Sequence, residues 1–317
     1  GATTPLDQPR HHAQQRIAIK GLNAILATVS TPTAAPVIAA TRLRKGNVSS
    51  ARGAGRLIGD TLATLRKATT PSLVIVRADS AYFNHATIAA ITAGGAKFSI
   101  TARMNTAVTR TIATINDQAW TTIRYPHALW DEAQQVWISD AEIAEVPFTA
   151  FTSRRKADHV TARLIVRRVR RLNPNAKAQG ELLPGYRYHA VLTNSTFVLV
   201  DAEACHRDHA VIEGIFADLK DGPLAHAPSG KFTANSAWLA LAAMAFNLTR
   251  AAARIASKTL GRARTATVRR TLVQVAARIA NQARHWLLHL PRDWPWEPQL
   301  ATLYQAAFSP SPAVASP

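Results

Sequence analysis

The sequence predicts an α/β protein in which a mixed sheet is flanked by helices and interrupted by a β-rich insertion. Three observations support this fold class. Segments typical of strand, strand, helix, strand, helix and strand follow one another over residues 17–101, which predicts a mixed sheet with crossover helices. Alternating β-branched and aromatic segments then dominate residues 103–200. Amphipathic and Ala-rich helical patterns follow between residues 206 and 256.

Charge is the strongest compositional signal in the chain. Its 317 residues include 38 Lys and Arg against 19 Asp and Glu, so the formal net charge is +19. Such an excess favours a polyanionic partner, above all nucleic acid. The alternative is a basic soluble protein without such a partner. The single cysteine, Cys205, excludes an internal disulfide and a multi-cysteine zinc site, and it suits a reducing cytoplasm.

The first elements are predicted to be a hairpin and a helix. Strand-like segments at 17–31 and 36–43 are separated by Pro32 and Pro36, which indicates an antiparallel hairpin. A basic loop then leads to a helix that ends near residue 67, with Ser49 or Ser50 as its predicted N-cap. The apolar face that we expect this helix to bury consists of Leu57, Ile58, Leu62 and Leu65.

Residues 73–83, with the sequence LVIVRADSAYF, join an apolar run to a polar turn. The run predicts a fully buried strand. Asp79 follows it, so its carboxylate is expected at the carboxyl edge of the sheet, where open α/β sheets place catalytic groups. The alternative is that Asp79 or Ser80 only caps the next helix, which is predicted over residues 83–93. Another strand is predicted over residues 97–101.

The β-rich stretch contains a dense run of arginines. Arg167, Arg168, Arg170 and Arg171 fall within five residues and are predicted to face a polyanion. The alternative is a solvated charged face. The strands predicted in this stretch cover residues 121–125, 135–139, 145–151, 161–168, 188–194 and 197–200.

A single amphipathic helix is predicted over residues 206–219, and its polar stripe consists of His206, His209, Glu213 and Lys220. Glu213 and the distant Asp79 are the two carboxylates that a two-metal phosphoryl-transfer site could use. Mg²⁺ prefers oxygen ligands, and a metal pair stabilises both the attacking and the leaving oxygen. Lys220 is expected to meet a phosphate.

The C-terminal third is predicted to be helical and then basic. Residues 233–256 form a long Ala-rich helix whose apolar part is too short to span a bilayer, so we expect a core helix. Residues 262–284 predict either a strand followed by a helix or a β-ribbon. Residues 291–298 predict a rigid aromatic cap, and residues 309–317 predict a loose tail.

Two segments resemble the DDE transposases of bacterial insertion sequences. Residues 74–83, VIVRADSAYF, are similar to the strand that carries the second Asp of that family. Residues 206–220, HRDHAVIEGIFADLK, resemble its terminal motif, in which Lys lies seven positions after Glu. The segments at 20–30, 42–46 and 288–296 are also similar to the family. The resemblance covers about residues 19–308.

This resemblance implies an RNase H-like catalytic core, interrupted by a β insertion, that cuts and joins DNA at element ends with Mg²⁺ or Mn²⁺. Asp79 and Glu213 become the implied catalytic residues and metal ligands. Lys220, Arg207 and the arginine run become the implied DNA contacts. DNA is the implied partner, a homodimer in the DNA complex is compatible with the family, and no membrane is involved. The expected location is the cytoplasm, at the nucleoid through DNA.

The sequence departs from the family pattern in two places. The family has Tyr and Arg seven and four residues before Glu, whereas His206 and His209 stand there and Arg207 is out of register. The family's first Asp lies upstream of the second, but only Asp7 and Asp60 precede Asp79. We therefore expect an N-terminally truncated or altered transposase that is inactive or impaired.

Two alternative functions are also compatible with the sequence. A catalytically dead DNA-binding protein would hold phosphates with the same arginines, and its affinity would fall steeply with salt. A zinc site built from Cys205, His206, His209 and Glu213 is the weaker alternative, because a partner pair of ligands elsewhere is missing.

The predicted domain organisation has five parts. They are a lead-in (1–18), the first part of the core (19–102), the β-rich insertion (103–200), the last part of the core with the Glu helix (201–256), and a basic C-terminal region and tail (257–317).

Overall fold

The computed structural model describes residues 21–31, 34–123, 130–131, 136–137, 141–170, 186–208 and 211–309. Several sequence-based predictions fall outside these residues and stay predictions. They concern the lead-in, Arg171, His209 and nearly all of the C-terminal tail.

The elements alternate between strands and helices. The helices are α1 (Ala54–Ala68), α2 (His85–Ala93), α3 (Thr106–Ala113), α4 (Leu199–Arg207), α5 (Val211–Lys220), α6 (Phe232–Ala256), α7 (Thr265–Val268) and α8 (Glu297–Phe308). The strands are β1 (Leu22–Thr31), β2 (Ala34–Lys45), β3 (Ile75–Ala78), β4 (Lys97–Thr101), β5 (Thr121–Ile123), β6 (Trp130–Asp131), β7 (Val136–Trp137), β8 (Ala141–Ala150), β9 (Val160–Arg170), β10 (Tyr186–Thr193), β11 (Arg278–Gln282) and β12 (His285–His289).

A six-stranded mixed sheet forms the centre of the molecule, with the strand order β3-β4-β10-β9-β8-β5. β3 and β4 are parallel because α2 crosses between them, and the other neighbours are antiparallel. Helices α1, α2 and α3 cover one face, where Ile100, Leu164 and Leu192 are fully buried. On the other face, Ala202 of α4 packs on Ile165 and Val191. This confirms the predicted mixed α/β class, and the sheet is consistent with an RNase H-like fold.

Four strands of the predicted insertion belong to the central sheet, and the short strands β6 and β7 pair only with each other among the described residues. β10 pairs with β4, and β9, β8 and β5 continue outward from it. The domain boundaries at residues 103 and 200 therefore stay predictions. The central sheet contains strands from both sides of residue 103. Helix α3 lies in the same stretch and was not predicted from the sequence.

The predicted N-terminal hairpin is confirmed. β1 and β2 are antiparallel and form a two-stranded sheet of their own. Neighbouring side chains of β1 point to opposite faces. Ile25 packs with Ala54 and Leu57 of α1, whereas Leu26 packs with Ile215 of α5. The hairpin is therefore held between α1, which also covers the main sheet, and α5.

The prediction of a fully buried strand before Asp79 is wrong. Residues 74–78 are only half-buried, and β3 contains four residues. The physical reason is position: β3 is the edge of the six-stranded sheet, and in the described part of the chain it has β4 as its only strand neighbour.

Two predictions about the positions of elements are also wrong. Helix α1 begins after Gly53 and not after Ser49 or Ser50, because Arg44 binds the carbonyls of both serines and holds them in a turn. The predicted strand at 197–200 is the start of α4.

The single helix predicted over residues 206–219 is two helices. His206, at the end of α4, is tied to β4, whereas α5 packs on the hairpin, so the two segments follow different parts of the structure. His206 and Glu213 therefore do not share a helical stripe.

The C-terminal third packs around α6, and the long helix predicted there is confirmed. By length and composition α6 could cross a membrane. Leu239 and Phe246 pack against the hairpin, and Asn247 bonds both the backbone N–H and the C=O of Ile38. Of the two alternatives for residues 262–284, strand then helix is wrong, because α7 and a π-helical turn precede β11. The β-ribbon alternative is confirmed only from Arg278 onward, where β11 pairs with β12. Trp296, in the predicted aromatic cap, packs on the cluster around Leu260.

Candidate functional site

Asp79 lies where β3 ends and a 3-10 turn over Ser80–Tyr82 begins. Its side chain is exposed, and Oδ1 accepts a hydrogen bond of 2.8 Å from the N–H of Ala81. The capping role is therefore present, although the capped element is this short turn and not α2, whose N-cap is Asn84. One carboxylate oxygen caps the turn, and the second is available for another ligand.

Basic and aromatic side chains surround Asp79. Arg103 donates from Nε to the carbonyl of Ser80 at 3.0 Å. Tyr82 packs on the cluster around Ile25, Ala54 and Leu57. Burial and then the Asp79 carboxylate raise the pKa of the Tyr82 hydroxyl, whereas Arg44 acts in the opposite direction. Tyr82 thus connects the turn after Asp79 to the contact between the hairpin and α1.

Glu213 and Lys220 lie on α5, and both are exposed. The helix is fixed by its other residues: Ile215 and Leu219 are buried against the hairpin. Asp218 accepts hydrogen bonds from Arg250, Arg264 and Thr265. Helix α5 is therefore fixed by buried contacts, and Glu213 lies on its exposed side.

The metal-ligand roles of Asp79 and Glu213 stay predictions, and both side chains are exposed. Exposed carboxylate oxygens are the donors that Mg²⁺ and Mn²⁺ prefer. Among the residues that the structure describes, however, no group of three His, Cys, Asp or Glu side chains could hold a metal ion. Asp60, one of the two upstream acids, pairs with Arg42 on the exposed side of α1. A complete three-carboxylate centre is therefore not built by the described residues, and the proposed zinc cluster is not found among them either.

A small polar pocket lies beside β4, and Thr101 at the end of that strand is one of its lining residues. Its volume is about 130 Å³. Glu203, whose side chain is 5% exposed, pairs with Arg167 at 2.7 Å and with Arg207 at 3.2 Å. His206 contacts the hydroxyl of Ser99 at 2.9 Å through Nδ1. Two of the predicted DNA-binding arginines thus have a protein carboxylate as a partner.

Arg168 is engaged inside the protein. Its guanidinium lies 4.1 Å from the ring centre of Trp120 and 4.6 Å from that of Tyr186, and its Nε donates to Glu142 at 2.7 Å. Only 14% of its side chain is exposed. Arg170, another predicted DNA contact, is the last residue of β9. A DNA contact by any of these arginines stays a prediction.

Sequence reasoning did not single out Tyr82, Arg103 or Arg44 as site residues. For Tyr82 the only available signal was its place in the sequence, three positions after Asp79. Arg103 follows β4 at the same sheet edge as Asp79, because β3 and β4 are parallel. That adjacency was contained in the predicted topology and could have been used.

The comparison with known families fits this geometry. Residues 33–309 match the family model described as transposase DDE domain group 1. No curated protein matches the chain. The family match covers most of the chain, including β3 with Asp79 and α5 with Glu213. The chain therefore belongs to the transposase DDE domain group 1 family.

Proposed function

We propose that this protein is a transposase of an insertion sequence that binds DNA, with Asp79 and Glu213 as retained metal ligands and with impaired strand cutting and joining. The observation that carries the proposal is the family match over two exposed carboxylates, one at the sheet edge and one on a firmly held helix. DNA is the partner that the family implies. A homodimer in the DNA complex and a location at the nucleoid belong to the same proposal.

The chemistry proposed for this site is phosphoryl transfer. When bound, divalent metal ions would neutralise charge on the attacking and leaving oxygens of the scissile phosphate. Asp79 would supply the carboxylate oxygen that does not cap the turn. Glu213 would approach from α5, and Lys220, on the same helix, would neutralise a DNA phosphate. The proposed impairment is supported by Asp60, an acid upstream of Asp79 that pairs with Arg42 on the surface of α1. Among the described residues, no group of three His, Cys, Asp or Glu side chains could hold a metal ion.

Conservative variants separate the ligand role of Asp79 from its capping role. Asparagine caps about as well as aspartate, so Asp79→Asn should keep the turn and the melting temperature. It should remove any nicking of supercoiled plasmid DNA in Mn²⁺, as should Glu213→Gln, because both changes remove a charged metal ligand. Wild-type nicking is expected to be weak or absent.

The matched control is Asp201→Asn, which changes an exposed carboxylate on α4. Its nicking rate should equal that of the wild type. Nicking that persists unchanged in both Asp79→Asn and Glu213→Gln would rule out the assigned site. Strong wild-type nicking would rule out the proposed impairment.

A catalytically dead DNA-binding protein is the second candidate. The net charge of +19 favours it, because counterion release alone would give tight binding to DNA. This candidate predicts that the logarithm of the binding constant for duplex DNA falls linearly with the logarithm of the salt concentration. It also predicts the same affinity in Mg²⁺ and in EDTA. Fluorescence anisotropy titrations in the two buffers would measure this, and salt-insensitive binding would exclude it.

A further inference from the structure

A groove separate from the pocket beside β4 lies at the turn between β2 and α1. Its volume is about 500 Å³. Four of its lining residues are cations and none is a carboxylate or an aromatic residue. The lining residues are Arg42, Arg44, Lys45, Asn47, Val48, Arg52 and Gly53.

Arg44 builds the wall of this groove. Its Nη1 donates to the carbonyls of Ser49, Ser50 and Arg52 at 3.2, 2.8 and 2.8 Å, and its Nη2 donates to Asn23 at 2.7 Å. Three carbonyl acceptors around one guanidinium fix the course of the turn. The Arg44 guanidinium is therefore occupied by hydrogen bonds within the protein, and these bonds preform the turn.

The other cations at the turn point outward. Lys45 and Arg52 are exposed, and neither has an ion-pair partner among the described residues. Arg42 differs, because it pairs with Asp60. Lys45 and Arg52 therefore line the groove without a carboxylate partner among the described residues.

The first turn of α1 adds to this positive surface. Gly53 precedes the helix with φ of 82°, a left-handed conformation that suits glycine, and no side chain caps the helix. No acidic residue lies in the first turn, and no hydrogen bond is found for the N–H groups of Gly55 and Arg56 among the described residues. An uncapped helix start beside a basic groove favours an anion.

The groove also lies near Asp79. Tyr82 lies three residues after Asp79 and packs against the cluster of Ile25, Ala54 and Leu57, which includes the first residue of α1. An anion in the groove would thus lie in the same part of the molecule as Asp79.

We infer that this groove, formed by Lys45, Arg52 and the start of α1, binds the phosphate backbone of DNA beside the site of Asp79. The inference rests on the proposed function, since it takes DNA as the ligand. Backbone recognition is favoured over a nucleotide or a base, because the lining has no aromatic side chain on which a base could stack.

The test compares two double variants in anisotropy titrations with duplex DNA between about 50 and 200 mM NaCl. Lys45→Ala with Arg52→Ala should weaken binding by about tenfold and reduce the salt slope by about two, one for each lost phosphate contact. The control, Lys67→Ala with Arg110→Ala, removes two exposed cations at other places on the surface. The control should show a smaller change in affinity and slope.

Equal changes in the two double variants would overturn the inference. If the wild type does not bind DNA, the proposed function fails, and inorganic phosphate at constant ionic strength then tests the groove alone. Phosphate should raise the melting temperature of the wild type and the control but not that of the Lys45/Arg52 variant, since only a ligand with a folded-state site stabilises in this way. The same shift in all three proteins would overturn the groove as a phosphate site.

Discussion

Single residues show why charge patterns in a sequence do not identify a ligand. Arg167 and Arg168 are neighbours on β9, so their side chains leave the sheet on opposite faces. Arg167 meets Glu203 on one face, and Arg168 meets Glu142 and Trp120 on the other. These partners lie on other elements, 25 or more residues away in sequence, and only the fold brings them together. The alternation within the strand was predictable, but the partners were not.

Asp79 illustrates the opposite case. The sequence correctly predicted that a carboxylate follows a strand at a sheet edge, and it also predicted the competing capping role. Both descriptions hold, because one oxygen caps the turn and the other does not. The role as a metal ligand stays a prediction that the Asp79→Asn variant tests.

A pH-dependent loss of stability is expected from His189. Burial, and then the charges of Arg167 and Arg187, lower the pKa of this half-buried imidazole. In the unfolded chain the side chain takes up a proton below about pH 6.5, while the folded protein resists it. His189 therefore contributes fully above that pH, and its contribution falls as the pH drops towards the lowered folded pKa. Thermal unfolding between pH 7.5 and 5.5 measures this.

The variant His189→Gln removes the titrating group. The melting temperature of the wild type should fall more steeply with decreasing pH than that of the variant. Parallel pH profiles for the two proteins would contradict the prediction.

At the scale of elements, a buried carboxylate ties three helices together. Asp218 on α5 accepts hydrogen bonds from Arg250 on α6 at 2.9 Å, from Arg264 at 2.5 Å, and from the N–H and hydroxyl of Thr265 at 3.2 and 3.1 Å. Its side chain is 3% exposed and that of Arg250 is 9% exposed. The network orients the helix that carries Glu213.

The change Asp218→Asn should destabilise the protein by about 3–5 kcal/mol, because it leaves the Arg250 guanidinium buried without a counter-charge. Urea unfolding measures the difference. The control is Asp221→Asn, where a side chain that is 73% exposed pairs with Arg264 at 3.3 Å. Its effect should stay within about 1 kcal/mol, as for other surface ion pairs. Similar losses in the two variants would contradict a buried-charge effect.

Element types were more predictable than their ends. The hairpin, α2, β4 and α6 follow directly from apolar periodicity and turn residues. The start of α1 was missed because the interaction that decides it is a side chain of β2, Arg44, bound to three carbonyls. The break between α4 and α5 was missed because both halves are amphipathic, and only their different packing partners separate them.

At the scale of the whole molecule, the sheet order was beyond the sequence. Predicted strands after residue 103 looked like an insertion because they follow the α/β pattern as a block. In space β10 pairs with β4 and extends the same sheet. Which strand neighbours which depends on long-range pairing, and the local pattern of a strand carries no information about its neighbour.

Hydrogen exchange should show this architecture. Backbone amides of β9 and β10 lie inside the sheet, with Leu164, Val166 and Leu192 fully buried, and they should exchange only by global unfolding. Amides of β3 should exchange faster by orders of magnitude, because one side of this edge strand has no partner in the described part of the chain. Mass spectrometry after deuterium labelling measures both. Equal protection in β3 and β10 would contradict the edge position of β3.

The open edge of β3 has a consequence for the protein in concentrated solution. Its backbone carries apolar residues and lacks a second strand neighbour among the described residues, so it offers a template for intermolecular pairing. At low salt the net charge of +19 keeps molecules apart, but at 1 M salt that repulsion is screened beyond about 3 Å. The salt needed to strip bound nucleic acid during purification is therefore the condition under which we expect self-association.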